Sequence, residues 1–352
     1  MRRYKFVPFF LSIVIAAVII MKPKVISVKY KNIDVNNGKV IVRPEYMSIC
    51  HADGRYYFGL RDAAILRKKL PMALIHECMG RVVYSPDDRF KVGEKVVMIP
   101  NAPGEEVSGE YENYRLDSVF SSSGADGFMR ELVDLPAERL VSCDGIKPQV
   151  AAMTEFVTIP FHAADRFERA VQTGVGKIGI WGDGGLGYLT ALVLKHKFPK
   201  AKICVIGMDE TKLNMFSFVN ETYLADKLPE GFSVDHAFEC CGGNGSYYAI
   251  KQVIDTINPQ GTLMLMGVTE DEVPIATRMV LERGRNLFGS SRSGVEDFQR
   301  TMDLLEENPR IAQYLENLIA GVVEIRTIPD IHSAFQQDIS RNFGKTVLKW
   351  EK

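Results

Sequence analysis

Cysteine is scarce and scattered in this chain. Of 352 residues six are cysteine, and only Cys240 and Cys241 are neighbours. No C-x-x-C occurs, which argues against a four-cysteine structural zinc site, and no regular spacing suggests a disulfide framework. That usage fits a reducing compartment, the cytoplasm. Excess charge is also absent: 43 Lys and Arg face 44 Asp and Glu, a net charge of −1, so no electrostatic signal for nucleic acid exists. Repeats and low-complexity tracts are missing. So is an uninterrupted apolar run of the about 20 residues that a membrane-spanning helix needs. The nearest approach is Phe6 to Met21, broken by Pro8 and Ser12 and preceded by Arg2, Arg3 and Lys5. It has the charged and apolar regions of a signal peptide but no small-x-small cleavage site, so membrane association stays open. Two duller readings compete: Val14–Met21 is the first strand of the first domain behind a tail, or Met21 is the true start.

What the chain does have is a strong signal at its middle. Lys177–Trp181 is a short apolar run that predicts a buried parallel strand. Gly182, Gly184 and Gly187 follow as G-x-G-x-x-G, with Gly185 and Leu186 inside the motif, and Tyr188–Phe198 continues at helical spacing. In a strand–loop–helix setting the three glycines allow a tight turn, close approach to a pyrophosphate, and tight helix–strand packing. The helix start offers free N–H groups to phosphate. A second strand, AKICVIG, ends at Met208-Asp209.

The flanking patterns differ. Before the glycine loop, short β-branched runs punctuated by Pro and Gly predict a β-rich, barrel-like domain. Lys24–Tyr30 and Lys39–Arg43 read as a hairpin across Asn36-Asn37-Gly38, and a strand is expected near Gly127–Val133. Ala151–Arg169 is helical in pattern. After Asp209 the alternation runs helix Lys212–Asn220, strand Val234–Cys240, a helix from Asn244, and strands Thr262–Met266 and Asn286–Ser290. This predicts an α/β fold with a Rossmann doubly wound parallel sheet. Helix Val295–Glu307 and strand Lys345–Trp350 are expected to return to the first domain. The expected division is an extension or first strand at 1–20, a catalytic domain at 21–157, a nucleotide-binding domain at 158–292, and the return at 293–352.

Four side chains in the first domain have the types that hold a metal: Cys50, the adjacent His76 and Glu77, and Glu155. Thiolate, imidazole and carboxylate together suit a catalytic Zn2+. Asp53, three residues after Cys50, is placed to accept the second ring N–H of His76 and fix its tautomer. The bland reading is a buried small cysteine and a satisfied His-Glu turn.

On these residues the chain resembles the zinc-dependent medium-chain alcohol dehydrogenase superfamily beyond its N-terminal tail. The motifs are Cys50-His-Ala-Asp53, Ile75-His76-Glu77 with Gly80, Val92-Gly93-Glu94-Lys95-Val96, the glycine loop, Val234-Asp235-His-Ala-Phe-Glu239-Cys240 and Gly344-Lys345-Thr-Val-Leu-Lys349. The resemblance implies a GroES-like catalytic domain and one catalytic zinc on Cys50, His76, Glu77 and Glu155. Glu155 matches the glutamate of the polyol-dehydrogenase branch, and Tyr56 sits where that branch carries a substrate-pocket tyrosine. The loop Asn101–Asn113, where many relatives bind a structural zinc, has no cysteine, which implies no metal there. Ala52 replaces the Ser or Thr that many members use to relay a proton; water near Glu155, or Tyr56, is the expected substitute.

VRPEYMSICHADGRYYFG, KLPMALIHE, SSSGADGFM and FVTIPFHAADRFER, spanning Val42 to about Arg169, are similar more narrowly to the ribulose-5-phosphate reductases of teichoic-acid and capsule biosynthesis. That resemblance implies NADPH-dependent reduction of a pentulose phosphate to a pentitol phosphate, with a ribitol-5-phosphate cytidylyltransferase consuming the product, and a homodimer from the wider superfamily. Arg55, Ser122, Ser123 and Arg292 are the candidates to meet the substrate phosphate. Cofactor choice is in tension. Asp209 is the type that bonds the ribose hydroxyls of NADH, or else caps the next helix. The resemblance implies NADPH, with Lys212 facing its extra phosphate. The alternatives are an NAD-dependent polyol dehydrogenase acting on free sorbitol or xylitol, and a membrane-tethered, non-catalytic nucleotide-binding protein.

Overall fold

The computed structural model describes residues 12–351. The apolar residues 6–11 and the basic residues before them lie outside that range, and with them most of the signal-peptide reading. Val14–Met21 lies inside it and is strand: Ser12–Lys22 pairs antiparallel with Val25–Asp34 over a long ladder. The expected hairpin between Lys24–Tyr30 and Lys39–Arg43 is therefore corrected. The turn falls instead at Pro23-Lys24, where Lys24 takes a left-handed φ of 61°. The continuous apolar run on Ser12–Lys22 explains the outcome, because pairing there puts Ile15, Ala17, Val18, Ile19 and Ile20 into the core. Backbone bonds from Val18 to Met129 (2.9 Å) and from Ile20 to Met72 (3.0 Å) fasten the hairpin to the first domain. No helix among the described residues is long and apolar enough to cross a membrane.

Val40–Ser48, freed from that hairpin, becomes an inner strand of a seven-stranded sheet. The order across it is Ile319–Ile325, Lys345–Trp350, Val40–Ser48, Glu77–Tyr84, Lys95–Met98 and Leu140–Ser142, with Val133–Leu135 beside Val40–Ser48. The two last strands of the chain thus complete the first sheet. A close pass in this sheet fixes one glycine: a Cβ at Gly80 would overlap the carbonyl oxygen of Arg43 on the neighbouring strand.

The second sheet has six parallel strands in the order Glu221–Leu224, Lys202–Gly207, Lys177–Trp181, His236–Glu239, Thr262–Leu265 and Asn286–Gly289. Strand order reverses direction at Lys177–Trp181, the switch point where doubly wound sheets bind nucleotides. Two expectations here need correction. The helix foreseen at Lys212–Asn220 is a single turn, Glu210–Leu213, after which Phe216 turns inward against Tyr188 with ring centroids 5.3 Å apart. The next four residues of interest, Glu221–Leu224, form an edge strand that their mixed composition concealed. Helix Thr154–Ala170 leads from the first sheet to the second and packs on both helix Gly185–Lys197 and helix Val295–Glu307.

Candidate active site

Three stretches of the first domain and one residue of the closing strand meet at a buried charged cluster. Cys50 lies two residues beyond strand Val40–Ser48 and N-caps helix His51–Phe58, with its N–H donating to Asp53 Oδ2 at 3.3 Å. His76 and Glu77 open strand Glu77–Tyr84. Just before them Ile75 holds a φ of 71°, a conformation a β-branched residue adopts only when its surroundings force it. The forces are visible. The Ile75 N–H donates to Asp53 Oδ1 at 3.0 Å and its carbonyl accepts from Phe128 at 2.7 Å. A Cβ at Gly127 would overlap the Ile75 oxygen, so glycine is required there. Glu155 enters from the first turn of helix Thr154–Ala170.

Cys50, Asp53 and His76 offer donor atoms that all lie within 4.8 Å of one another, and so do His76, Glu77 and Glu155. His76 belongs to both sets. Its Nδ1 lies 3.4 Å from Asp53 Oδ2, which leaves Nε2 for a ligand, as the spacing of Cys50 and Asp53 suggested. Burial pushes the Asp53 carboxyl upward, but His76 and hydrogen bonds from His76, Ser122 and Ile75 outweigh it and hold it below its usual value. Burial likewise would lower His76; Asp53 and Cys50 overcome it and hold the ring well above its usual value. Glu155 is pushed up to about 7 by burial, with Glu77 adding to the effect and His76 opposing it. The cluster thus concentrates negative charge around one imidazole.

Sequence reasoning did not assign Lys345 or Phe120 to this arrangement. Lys345, the first residue of the closing strand, forms a buried ion pair with Glu77 Oε1, and its Nζ lies 4.3 Å from the centre of the Phe156 ring. The sequence showed it only as part of the closing motif Gly344–Lys349, a charged residue heading an apolar strand. Glu77 Oε2 is buried and has no hydrogen-bond partner among the described residues. Phe120 packs edge-on to His76 at 5.2 Å. Ser122, expected to meet substrate phosphate, is corrected: it is 2% exposed and its Oγ donates to Asp53. Ser123 is half-buried beside it. Arg292 reaches across from the second domain, with a φ of 57° and its guanidinium 4.9 Å above Phe120. Arg55 is ion-paired with Glu270. Tyr56 is buried, with the Arg61 guanidinium 4.3 Å from its ring centre.

The glycine loop lies at the C-terminal end of strand Lys177–Trp181. Gly182 holds a φ of 134°, and a Cβ there would meet the Cys240 carbonyl at 2.9 Å. A Cβ on Gly187 would overlap the Gly182 carbonyl oxygen. Gly184, the N-cap of helix Gly185–Lys197, has open space around its missing Cβ, and Gly185 faces Phe156. Asp209 Oδ1 accepts from the N–H groups of Thr211 (2.8 Å) and Lys212 (3.3 Å), so it caps its helix, and the backbone before it is held by Asp183. Lys212 is half-buried next to it. In the loop Asn101–Asn113 and just beyond, side chains make the braces: Arg139 pairs with Glu112 at 2.8 Å, Asn113 donates to the Ser291 carbonyl at 3.0 Å, and His162 bridges Tyr114 and Asp297 at 3.0 and 3.1 Å.

Side chains of the types that can hold a metal in one lobe and a glycine loop at the switch point of the other point to a class. Residues 36–145 match the alcohol dehydrogenase GroES-like domain and residues 200–307 the zinc-binding dehydrogenase domain, so the chain belongs to the zinc-type medium-chain dehydrogenases, which are oxidoreductases. It is 49% identical over 325 residues to ribulose-5-phosphate reductase of Bacillus spizizenii, covering 92% of this chain and 95% of that one. Against ribulose-5-phosphate reductase 1 of Staphylococcus aureus it is 48% identical over 332 residues, 94% and 97% of the two chains. The crystal structure of S. aureus TarJ in complex with NADPH superposes with a TM-score of 0.87 at 44% identity, covering 97% of this chain and all of that one. Within the class, the chain belongs to the ribulose-5-phosphate reductase family.

Proposed function

We propose that this protein reduces D-ribulose 5-phosphate at C2 to D-ribitol 5-phosphate with NADPH, at a zinc site formed by Cys50, His76, Glu77 and Glu155. The observation that carries the reading is near-full-length similarity to reductases of that name, supported by two overlapping sets of possible metal-binding side chains that share His76. The residue types suit the metal: His76 shares one set of close donor atoms with Cys50 and Asp53 and another with Glu77 and Glu155, and the buried Glu77 Oε2 has no hydrogen-bond partner among the described residues. Bound there, zinc supplies Lewis acidity toward the ketone oxygen, and the nicotinamide supplies the hydride.

The chain's own residues do the rest. Asp53 holds His76 by Nδ1 and keeps Nε2 turned to the cluster. Lys345 sets the orientation of Glu77 and balances part of the negative charge that would otherwise be buried. Phe120 and Phe156 wall the cluster with apolar rings. Ala52 leaves no hydroxyl at the usual relay position, so water beside Glu155, or Tyr56, is left to pass the proton. Tyr56 lines the substrate side.

For the cofactor, Gly184 leaves room for a pyrophosphate against the helix N-terminus. Asp209 Oδ1 is taken up by its helix cap, and the similarity to S. aureus TarJ, solved in complex with NADPH, supports NADPH over NADH. The product suits a ribitol-5-phosphate cytidylyltransferase that feeds CDP-ribitol to teichoic acid or capsule. We place the enzyme in the cytoplasm, where its six unpaired cysteines stay reduced. A homodimer completes the reading.

The test follows oxidation of NADPH and NADH with ribulose 5-phosphate, with and without a zinc chelator, and identifies the product. Chelator-sensitive NADPH oxidation yielding ribitol 5-phosphate is expected. Turnover of free polyols with NAD instead would overturn the biosynthetic reading.

A further inference from the structure

One acidic side chain of the nucleotide-binding domain crosses the cleft and lodges between two arginines of the catalytic domain. Glu270 follows strand Thr262–Leu265, so it sits at the carboxyl end of the parallel sheet, on the side where ligands of such sheets bind. Its Oε1 is ion-paired with Arg55 and lies 3.5 Å from Arg61 Nη1. The arginine side chains are only 14% and 17% exposed, against 41% for Glu270. Two largely buried guanidinium groups therefore share one half-exposed carboxylate.

The backbone is built to make the arginines converge. Helix His51–Phe58 starts at the metal-ligand residue Cys50 and stops at Gly59, whose φ of 74° and tight contact with Pro23 require glycine. Leu60 then bonds back to the Arg55 carbonyl at 2.8 Å, and the chain returns Arg61 to the face of Tyr56. Arg61 Nε is buried with no hydrogen-bond partner among the described residues. Burial and the neighbouring Arg61 charge both weaken the protonated form of Arg55, so the pair is short of negative charge.

We propose that Arg55 and Arg61 bind the phosphate of the substrate, and that Glu270 fills their place until the phosphate displaces it. This rests on the reading under Proposed function that the substrate is a sugar phosphate. Charge decides between a carboxylate and a phosphate as the intended occupant. One carboxylate neutralises one guanidinium, whereas a phosphate monoester carries about −1.5 to −2 near pH 7 and matches both. Its several oxygens satisfy two planar forks, including the unpartnered Nε of Arg61. Arg55 stands on the helix that Cys50 caps, five residues along it. Leaving Arg55 and Arg61 also frees the Glu270 segment, which is anchored behind it by the bond from Gly243 N–H to the Val268 carbonyl at 2.9 Å.

The experiment compares kcat/KM for ribulose 5-phosphate and for ribulose, and titrates inorganic phosphate by calorimetry, in the zinc-loaded full-length enzyme. Arg61→Ala and Arg55→Ala should cut the preference for the phosphorylated sugar at least tenfold, mainly through KM, with Arg61→Lys in between. Retained NADPH binding in each variant shows that it is folded. Glu270→Gln should act in the opposite direction, lowering KM for ribulose 5-phosphate and tightening phosphate binding several-fold. If the three residues are only a latch between domains, all variants, Glu270→Gln included, lose activity with both sugars alike, and the proposal falls. A wild type that prefers neither sugar overturns the reductase reading itself. A wild type that prefers the phosphorylated sugar, with that preference unmoved in the arginine variants, overturns this inference alone.

Discussion

Lys345→Met puts a number on the charge balance at the cluster. Glu77 is fully buried, with Lys345 on one oxygen and no hydrogen-bond partner for the other among the described residues. Methionine keeps the length and the apolar contact with Phe156 but removes the charge, leaving an uncompensated carboxylate. Breaking a buried pair from one side costs about 3–5 kcal/mol. Removing both charges, in Lys345→Met/Glu77→Gln, should return about 2 kcal/mol or more of that loss, because no stranded ion is left. The two tryptophans of the chain report separately: Trp350 lies in the catalytic sheet and Trp181 in the nucleotide-binding sheet. Urea unfolding of chelated protein in a Trp181→Phe background therefore isolates the affected domain. Zinc added to the single variant should narrow its deficit, since a divalent cation held by His76, Glu77 and Glu155 supplies the missing positive charge. The reasoning is refuted if Lys345→Met costs under about 1 kcal/mol, or if the double variant is no more stable than the single one.

The two glycines of the nucleotide loop should part company. Gly187→Ala forces overlap with the Gly182 carbonyl and should destabilise the nucleotide-binding domain by about 1–3 kcal/mol in thermal melts; Gly184→Ala, with open space and an ordinary φ of −87°, should cost about 1 kcal/mol or less yet weaken NADPH binding at least tenfold by calorimetry. Asp53→Asn keeps the shape but loses the acceptor for the His76 ring, and should lower zinc affinity about 10–100-fold in a chelator competition. His236, fully buried between strands, accepts from the Thr262 N–H at 3.2 Å through Nδ1, and burial lowers its pKa below the ordinary value. The unfolded chain then binds the extra proton first, so the nucleotide-binding domain should lose stability as pH falls through 6.5 and below, by fluorescence of Trp181; His236→Gln should flatten that slope.

The parts legible beforehand were those whose causes lie close together in the chain. The run Lys177–Trp181, the glycines after it and the helical spacing beyond are set by neighbours a few residues apart, so strand, turn and helix followed from pattern alone. Cys50 and Asp53 are one helical turn apart, and that fixed their relation to each other, while His76 and Glu77 are chain neighbours. What escaped was partner choice over distance. Nothing local says that Val25–Asp34 pairs backward with Ser12–Lys22, since either neighbour offers a β-branched run; the match of buried faces decides. Lys345 meets Glu77 across 268 positions, and Glu270 meets Arg55 and Arg61 only because two separately folded sheets face one another. Composition and periodicity determined the two lobes and the types of group each carries. Packing alone determined which charges face each other, because the energy of an ion pair depends on separation and burial in space and on neither of these in sequence.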